Sequence, residues 1–283
     1  MSLSSRVVAS VSRRWSPYFS LLRLQILRFL PVKRERCSVV VTLTSFPARF
    51  GKLHLTLYSL LFQSLVPYKI VLWIAHGDVE KLPAHVIRLQ SDILEIRLCE
   101  DIRSYKKIIP ALRVPSLASR CLVTADDDVY YRRDWLSNIV TASREHPEAV
   151  IACRAHGIKH DGTGALLSYS DWDWCVVQPS PKPDIFPTGA GGVLFPPGAF
   201  HALALDSSIF LELCPSADDV WLYWMVRMAG REVRTVLDNR RLITWRSASL
   251  HALGVINADP AEGNDAQIRN MVERFGDPSR YDL

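Results

Sequence analysis

The chain has no closely spaced cysteine pair: its six cysteines stand singly at 37, 99, 121, 153, 175 and 214. Most lie in apolar runs, where cysteine acts as a small buried hydrophobe in a reducing compartment, so neither a disulfide framework nor a zinc site is indicated. No internal repeat is visible. The glycine-rich stretch Thr188 to Gly198 lacks the GxGxxG spacing and no lysine follows it as in a P-loop, which weakens a dinucleotide or Walker reading. Beyond the first residues there is also no excess of positive charge. Residues 1–36 hold seven arginines, one lysine and one glutamate, a balance of +7, and the rest of the chain comes to −2 of the net +5. A nucleic-acid-binding fold would spread its basic residues over a folded face, so nucleic acid is excluded as a partner.

What is present divides into a basic segment and a body. Phe19 to Leu30 is apolar but interrupted by Arg23, Gln25 and Arg28, and it falls short of the ~20 residues that span a bilayer. With Trp15, Tyr18 and Phe29 it fits a basic amphipathic segment on an anionic membrane surface. A helix packed on the body or a disordered leader are the alternatives. A secretory signal is disfavoured by the arginines and the missing cleavage site. The expected organisation is a membrane-peripheral segment over 1–36 and one domain over 37–283, whose composition, 48% hydrophobic and 22% charged, suffices for a sizeable core.

From Cys37 onward strands and helices alternate. Ser38 to Thr44, Lys69 to Ala75, Ile93 to Leu98 and Arg120 to Ala125 read as strands, and residues 52–65 carry leucines at helical spacing. Such alternation predicts an α/β fold with a mostly parallel sheet, and ligands of such sheets bind at the carboxyl ends of the strands. Thr44 to Arg49, Asp78 and Asp126 to Asp128 all follow strand ends and are expected to converge there. Arg103, Lys106 and Lys107 lie beside the same edge and suit a diphosphate.

The triplet Asp126-Asp127-Asp128 closes an apolar run, and a buried strand ending in carboxylates calls for a cation. On an extended backbone Asp126 and Asp128 would point to one side, about 6.6 Å apart, with Asp127 turned away. That arrangement suits a divalent ion carrying a diphosphate; a solvated acidic turn, or a cap for the helix near Asp134, is the alternative. Later, Ala149 to Arg154 reads as a strand. Residues 156–188 form a loop-rich region in which Trp172 and Trp174 are placed to stack on sugar or to serve the fold. Ser216 to Gly230 reads as a capped helix with Asp218 and Asp219 in its first turn, where acids stabilise the dipole or leave one carboxylate to act as a base. Glu232 to Leu237 and Leu242 to Trp245 read as closing strands and Asn264 to Phe275 as a last helix.

In this order, Thr44 to Arg49, Ser104 to Lys107, Thr124 to Asp128, Gly189 to Gly192 and Ala217 to Trp221 resemble bacterial nucleotide-sugar-dependent glycosyltransferases of the GT-A fold, especially those of cell-surface polysaccharide and lipopolysaccharide assembly. The resemblance implies a Rossmann-like sheet, with a nucleotide-sugar half over 37–131 and an acceptor and catalytic half over 132–283. It matches Asp126 and Asp128 to the family's Asp-x-Asp motif, which holds Mn²⁺ or Mg²⁺ and the donor, a UDP-sugar in the first instance. Thr44, Arg49, Asp78, Lys106, Lys107, Gly191 and Gly192 fall at donor-binding positions. His251 falls where some relatives carry a metal-binding histidine. Asp219, or else Asp218, takes the place of the base of inverting members. The implied activity is transfer of a hexose to a glycan or lipid-linked acceptor, at the cytoplasmic face of the cell membrane. A catalytically silent sugar-nucleotide or glycan-binding subunit, and a metal-dependent phosphohydrolase, are the rival expectations.

Overall fold

The computed structural model describes residues 34–177, 184–236, 242–245 and 263–281. The basic segment expected over 1–36 lies outside them except for its last three residues, and His251 lies outside them too. Those last three belong to the body's surface: Val66 N–H donates to the Glu35 carbonyl at 2.8 Å, and Arg34 donates to the carbonyls of Leu61 and Gln63.

Strands β1 (Val40–Thr44), β2 (Lys69–Ala75), β3 (Leu94–Cys99) and β4 (Leu122–Ala125) are apolar runs that pair in parallel. Strands β5 (Val129–Tyr130), β6 (Val150–Ala152), β7 (Ala155–Gly157), β8 (Ile185–Pro187), β9 (Val193–Phe195), β10 (Val233–Thr235) and β11 (Ile243–Thr244) are shorter. The central sheet has seven strands in the order β10-β6-β9-β4-β1-β2-β3. Only β9 runs against its neighbours β4 and β6. The expected α/β architecture, a mostly parallel sheet flanked by helices, is the one the chain forms.

Alternate residues of the strands feed two cores, as the period of two requires. Val41, Leu43, Ile70, Leu72 and Ile74 pack with the buried face of α1 (Phe50–Leu61) and with α2 (Trp135–Glu145). Val40, Val71 and Trp73 belong to the opposite core, with α3 (Ser207–Leu213), α4 (Asp218–Met228) and α5 (Asn264–Phe275). Helix α4 is buried on nearly every side, Trp221, Tyr223, Trp224 and Arg227 included. Its polar groups are met from outside the helix: Trp224 Nε1 donates to the Gly276 carbonyl, and the Arg227 guanidinium to the carbonyls of Pro278, Arg231 and Tyr281.

Two expectations about local structure are corrected. Asp134 stands at the N-cap of α2, but its side chain makes no capping hydrogen bond. The N-cap of α4 is Ala217, also without a side-chain cap; instead Gln267 of α5 accepts from the backbone N–H groups of Ser216 and Ala217 at 3.1 and 2.9 Å. The two acids therefore occupy the first helical turn with their carboxyl groups free of capping duty. Among the described residues no helix is long and apolar enough to cross a membrane.

Candidate active site

The triplet begins where β4 ends, and the backbone turns there instead of remaining extended. The 6.6 Å spacing argument therefore does not apply, and each carboxylate has its own surroundings. Asp127 is buried, accepting from Ser45 Oγ at 2.6 Å and from Arg49 at 2.7 Å. Arg49 also lies 3.1 Å from Asp128, so one guanidinium spans two members of the triplet. Asp126 accepts from the Gly191 N–H at 3.1 Å, and its own N–H donates to the Tyr131 hydroxyl at 2.7 Å.

The turn is held in place from both halves of the chain. Thr56 of α1 donates to the Asp127 carbonyl at 2.9 Å. Trp245, just after β11, donates its backbone N–H to the Asp128 carbonyl and its indole N–H to Thr56 Oγ1, both at 2.9 Å. Strand β11 pairs with β5, Thr244 opposite Val129, so the 242–245 segment is fastened across the acidic turn.

The glycine turn before β9 meets this acidic turn. Gly191 and Gly192 have φ of +84° and +101°, left-handed conformations that L side chains resist. A Cβ on Gly192 would fall 2.7 Å from the Thr124 carbonyl oxygen, so the backbone itself needs the missing side chain. Trp135 clamps the turn by donating Nε1–H to the Gly191 carbonyl at 2.7 Å.

Asp218 and Asp219 come to the same edge. Lys107 Nζ lies 2.7 Å from Asp218 Oδ2, both side chains nearly buried, though the contact lacks the geometry of a directed hydrogen bond. Burial alone would lower the Lys107 ammonium, but the carboxylates of Asp218, Asp126 and Asp219 outweigh it and raise it. Asp219 accepts from the Gly189 N–H at 3.3 Å and, among the described residues, makes no ion pair. Burial first, and then the adjacent Asp218, raise its carboxyl above the usual range. Burial likewise raises Asp126, Asp127 and Asp128, against the opposing pull of Lys107 on the first and Arg49 on the other two.

The remaining sequence-derived positions have partners of their own. Lys106 is buried and paired with Asp101 at 2.5 Å. Asp78 pairs with Lys81 at 3.0 Å, and Thr44 Oγ1 donates to the Trp73 carbonyl at 2.9 Å. Of the two tryptophans placed at the acceptor side, Trp172 is 2% exposed and belongs to the core, whereas Trp174 is 56% exposed. Ser45, Tyr131 and Gln267 are positioning residues that sequence reasoning did not single out. Ser45 lies inside the motif after β1, and Tyr131 stands five residues after the Asp126 whose N–H it accepts; the partners of Gln267 are distant in sequence and left no local signal.

Of the five carboxylates Asp126, Asp127, Asp128, Asp218 and Asp219, three are in direct ion pairs with two cations, Asp127 and Asp128 with Arg49 and Asp218 with Lys107. This excess of negative charge, offered by hard oxygen donors, fits a divalent cation. Among the described residues no group of three or more His, Cys, Asp or Glu side chains is placed to hold a metal ion.

Several solved structures are similar to the chain. They include S. aureus TarS 1-349 in complex with UDP, at 12% identity, covering 84% of this chain and 72% of that one, TM-score 0.48. Another is mannosyltransferase PcManGT from Pyrobaculum calidifontis in complex with GDP-Man and Mn²⁺, at 16% identity, covering 95% and 81%, TM-score 0.42. A third is 4-diphosphocytidyl-2C-methyl-D-erythritol synthase from Anaerococcus prevotii, at 13% identity, covering 79% and 96%, TM-score 0.45. No family model and no curated protein matches it.

Proposed function

We propose that the chain is a metal-dependent glycosyltransferase of the GT-A type, moving a hexose from a nucleoside-diphosphate sugar, a UDP-sugar in the first instance, to a glycan or lipid-linked acceptor with inversion. The single observation that carries this reading is the division of labour at the acidic cluster: Asp218 is tied to Lys107, while Asp219 accepts from the Gly189 N–H and makes no ion pair among the described residues. Asp126 and Asp128 would hold Mn²⁺ or Mg²⁺, which when bound offsets charge on the leaving diphosphate. The glycine turn at Gly191 and Gly192 brings its backbone against the acidic turn, where the Gly191 N–H reaches Asp126. Asp219, with its raised carboxyl, takes the proton of the acceptor hydroxyl; the acceptor oxygen bonds to the anomeric carbon as the bond to the diphosphate breaks. Lys107 holds Asp218 in an ion pair, so that Asp219 beside it remains for the proton. We place the enzyme in surface polysaccharide assembly at the inner face of the cell membrane, the basic segment supplying the attachment.

Calorimetric titration with UDP, GDP and CMP, each with and without Mn²⁺, tests the donor site. One nucleotide should bind only with metal, and Asp128→Asn should abolish that binding. A folded protein that binds none of the three with metal present would refute the donor site.

A further inference from the structure

Beyond the acidic cluster, the 156–177 region contains a group of aromatic and imidazole side chains that the proposed chemistry leaves unused. Trp174 is 56% exposed, the most exposed of the large apolar side chains described. Its ring lies 4.4 Å from that of His156 and 5.6 Å from that of Tyr169. The loop that carries it is anchored from α5, where Asp265 accepts from the Tyr169 N–H at 2.6 Å and from Ser168 Oγ at 2.7 Å.

His156 is fully buried on β7, and its Nδ1 accepts from the Cys175 N–H at 3.1 Å. Burial, helped by the Arg154 charge, pushes its imidazolium down to about 4, so near neutrality the ring is uncharged and its proton sits on Nε2. That Nε2–H has no hydrogen-bond partner among the described residues. A buried donor without an acceptor is a costly arrangement, and native proteins seldom keep one without a purpose. The Tyr169 hydroxyl also makes no hydrogen bond among the described residues. Burial, and then the charge of Asp219, raise its phenol, so it stays protonated and faces the field of that carboxylate.

We propose that Trp174, Tyr169 and His156 form a carbohydrate subsite beside Asp219, taking an uncharged pyranose ring of the acceptor. The apolar face of the sugar packs on Trp174, one ring hydroxyl hydrogen-bonds to Tyr169, and another supplies the acceptor that His156 Nε2–H lacks. Trp174, whose indole is held by one long bond of 3.4 Å to the Ser170 carbonyl, turns aside to admit that hydroxyl. Trp172, locked in the core with its indole N–H on the Leu167 carbonyl, takes no part. The subsite's role as an acceptor site rests on the transferase reading; its affinity for sugar does not.

The test is saturation-transfer NMR of the full chain with methyl β-D-glucopyranoside, methyl β-D-galactopyranoside and methyl α-D-mannopyranoside, run beside the nucleotide titration. Saturation should pass to the ring protons of at least one glycoside. Trp174→Ala, at an exposed position that burdens folding little, should abolish the transfer. Tyr169→Phe and His156→Phe should each weaken binding about tenfold, the loss of one hydrogen bond made in a dry site. Nucleotide affinity should be unchanged in all three. Transfer to none of the glycosides, or transfer undiminished in Trp174→Ala, overturns the subsite. Glycoside binding in a protein that takes up no nucleotide upholds the subsite and sinks the transferase reading; nucleotide binding without glycoside binding does the reverse.

Discussion

Arg49 is asked to neutralise two carboxylates, Asp127 at 2.7 Å and Asp128 at 3.1 Å, from a side chain only 15% exposed. Removing one partner of a buried pair leaves the other's charge desolvated and unpaired, which costs about 3 kcal/mol. Arg49→Leu should lose about that much in urea unfolding, and Asp127→Asn in the same background should recover part of it. Asp219 works in the opposite direction. Its carboxyl is raised in the folded chain, so the stability it contributes is present below the ordinary carboxylate pKa and is lost as pH rises through the raised value. Asp219→Asn should therefore melt higher than the parent at pH 8, with the difference closing toward pH 4, and should abolish transfer while nucleotide affinity persists. If only Asp218→Asn stops transfer, the two acids have exchanged roles. The sequence placed both acids in a first helical turn, yet the choice between them depends on Lys107, which reaches Asp218 from a segment that no local pattern connects to it. Arg49 was legible as part of a motif, but its commitment to the acidic triplet was not, because the pair is 78 residues apart.

At the scale of elements, legibility followed length and burial. Strand β2, a continuous apolar run, was bounded from sequence as it stands, and so was α5, whose Ile268 and Met271 keep helical spacing. Strands β7, β8 and β9, of three residues each, are too short for a period to declare itself. The extended backbone assumed for the triplet failed because the chain turns there to feed β5. The glycine turn shows how much the elements around the site depend on backbone contact. Gly192→Ala must both hold φ near +101° and push against the Thr124 carbonyl, whereas Gly230→Ala, at φ +69° with nothing within 4 Å of its Cβ, meets only the first cost. Urea unfolding should show about 1 kcal/mol lost for Gly230→Ala and at least twice that for Gly192→Ala.

For the molecule as a whole, the alternation of strands and helices was enough to predict a mostly parallel sheet, while the reversed strand β9 was not foreseen. Its direction is fixed by pairing with β4 and β6, which are remote in sequence. The charge asymmetry belongs to this scale too: a basic segment precedes a nearly neutral body. Deleting residues 1–33, and thereby sparing the Arg34 and Glu35 bonds to the body, should reduce sedimentation with liposomes containing anionic lipid. Undiminished sedimentation would remove the proposed attachment.

The place of β9 in the sheet also bears on how a ribosome delivers this protein. Strands β1 to β4 leave the exit tunnel first and can pair with one another at once, but the outer edge of β4 then stays open until residues 193–195 arrive. Meanwhile β6 has already been made, parallel in direction to β4 and free to occupy the slot that β9 must later fill. A nascent chain halted in that interval would expose an unsatisfied strand edge beside Asp126, whose donor Gly191 has not yet been made, the kind of intermediate that aggregates or engages a chaperone. Slower translation ahead of residue 193 would lengthen that exposure and lower the yield of folded protein, even though every residue of the finished chain would be the same.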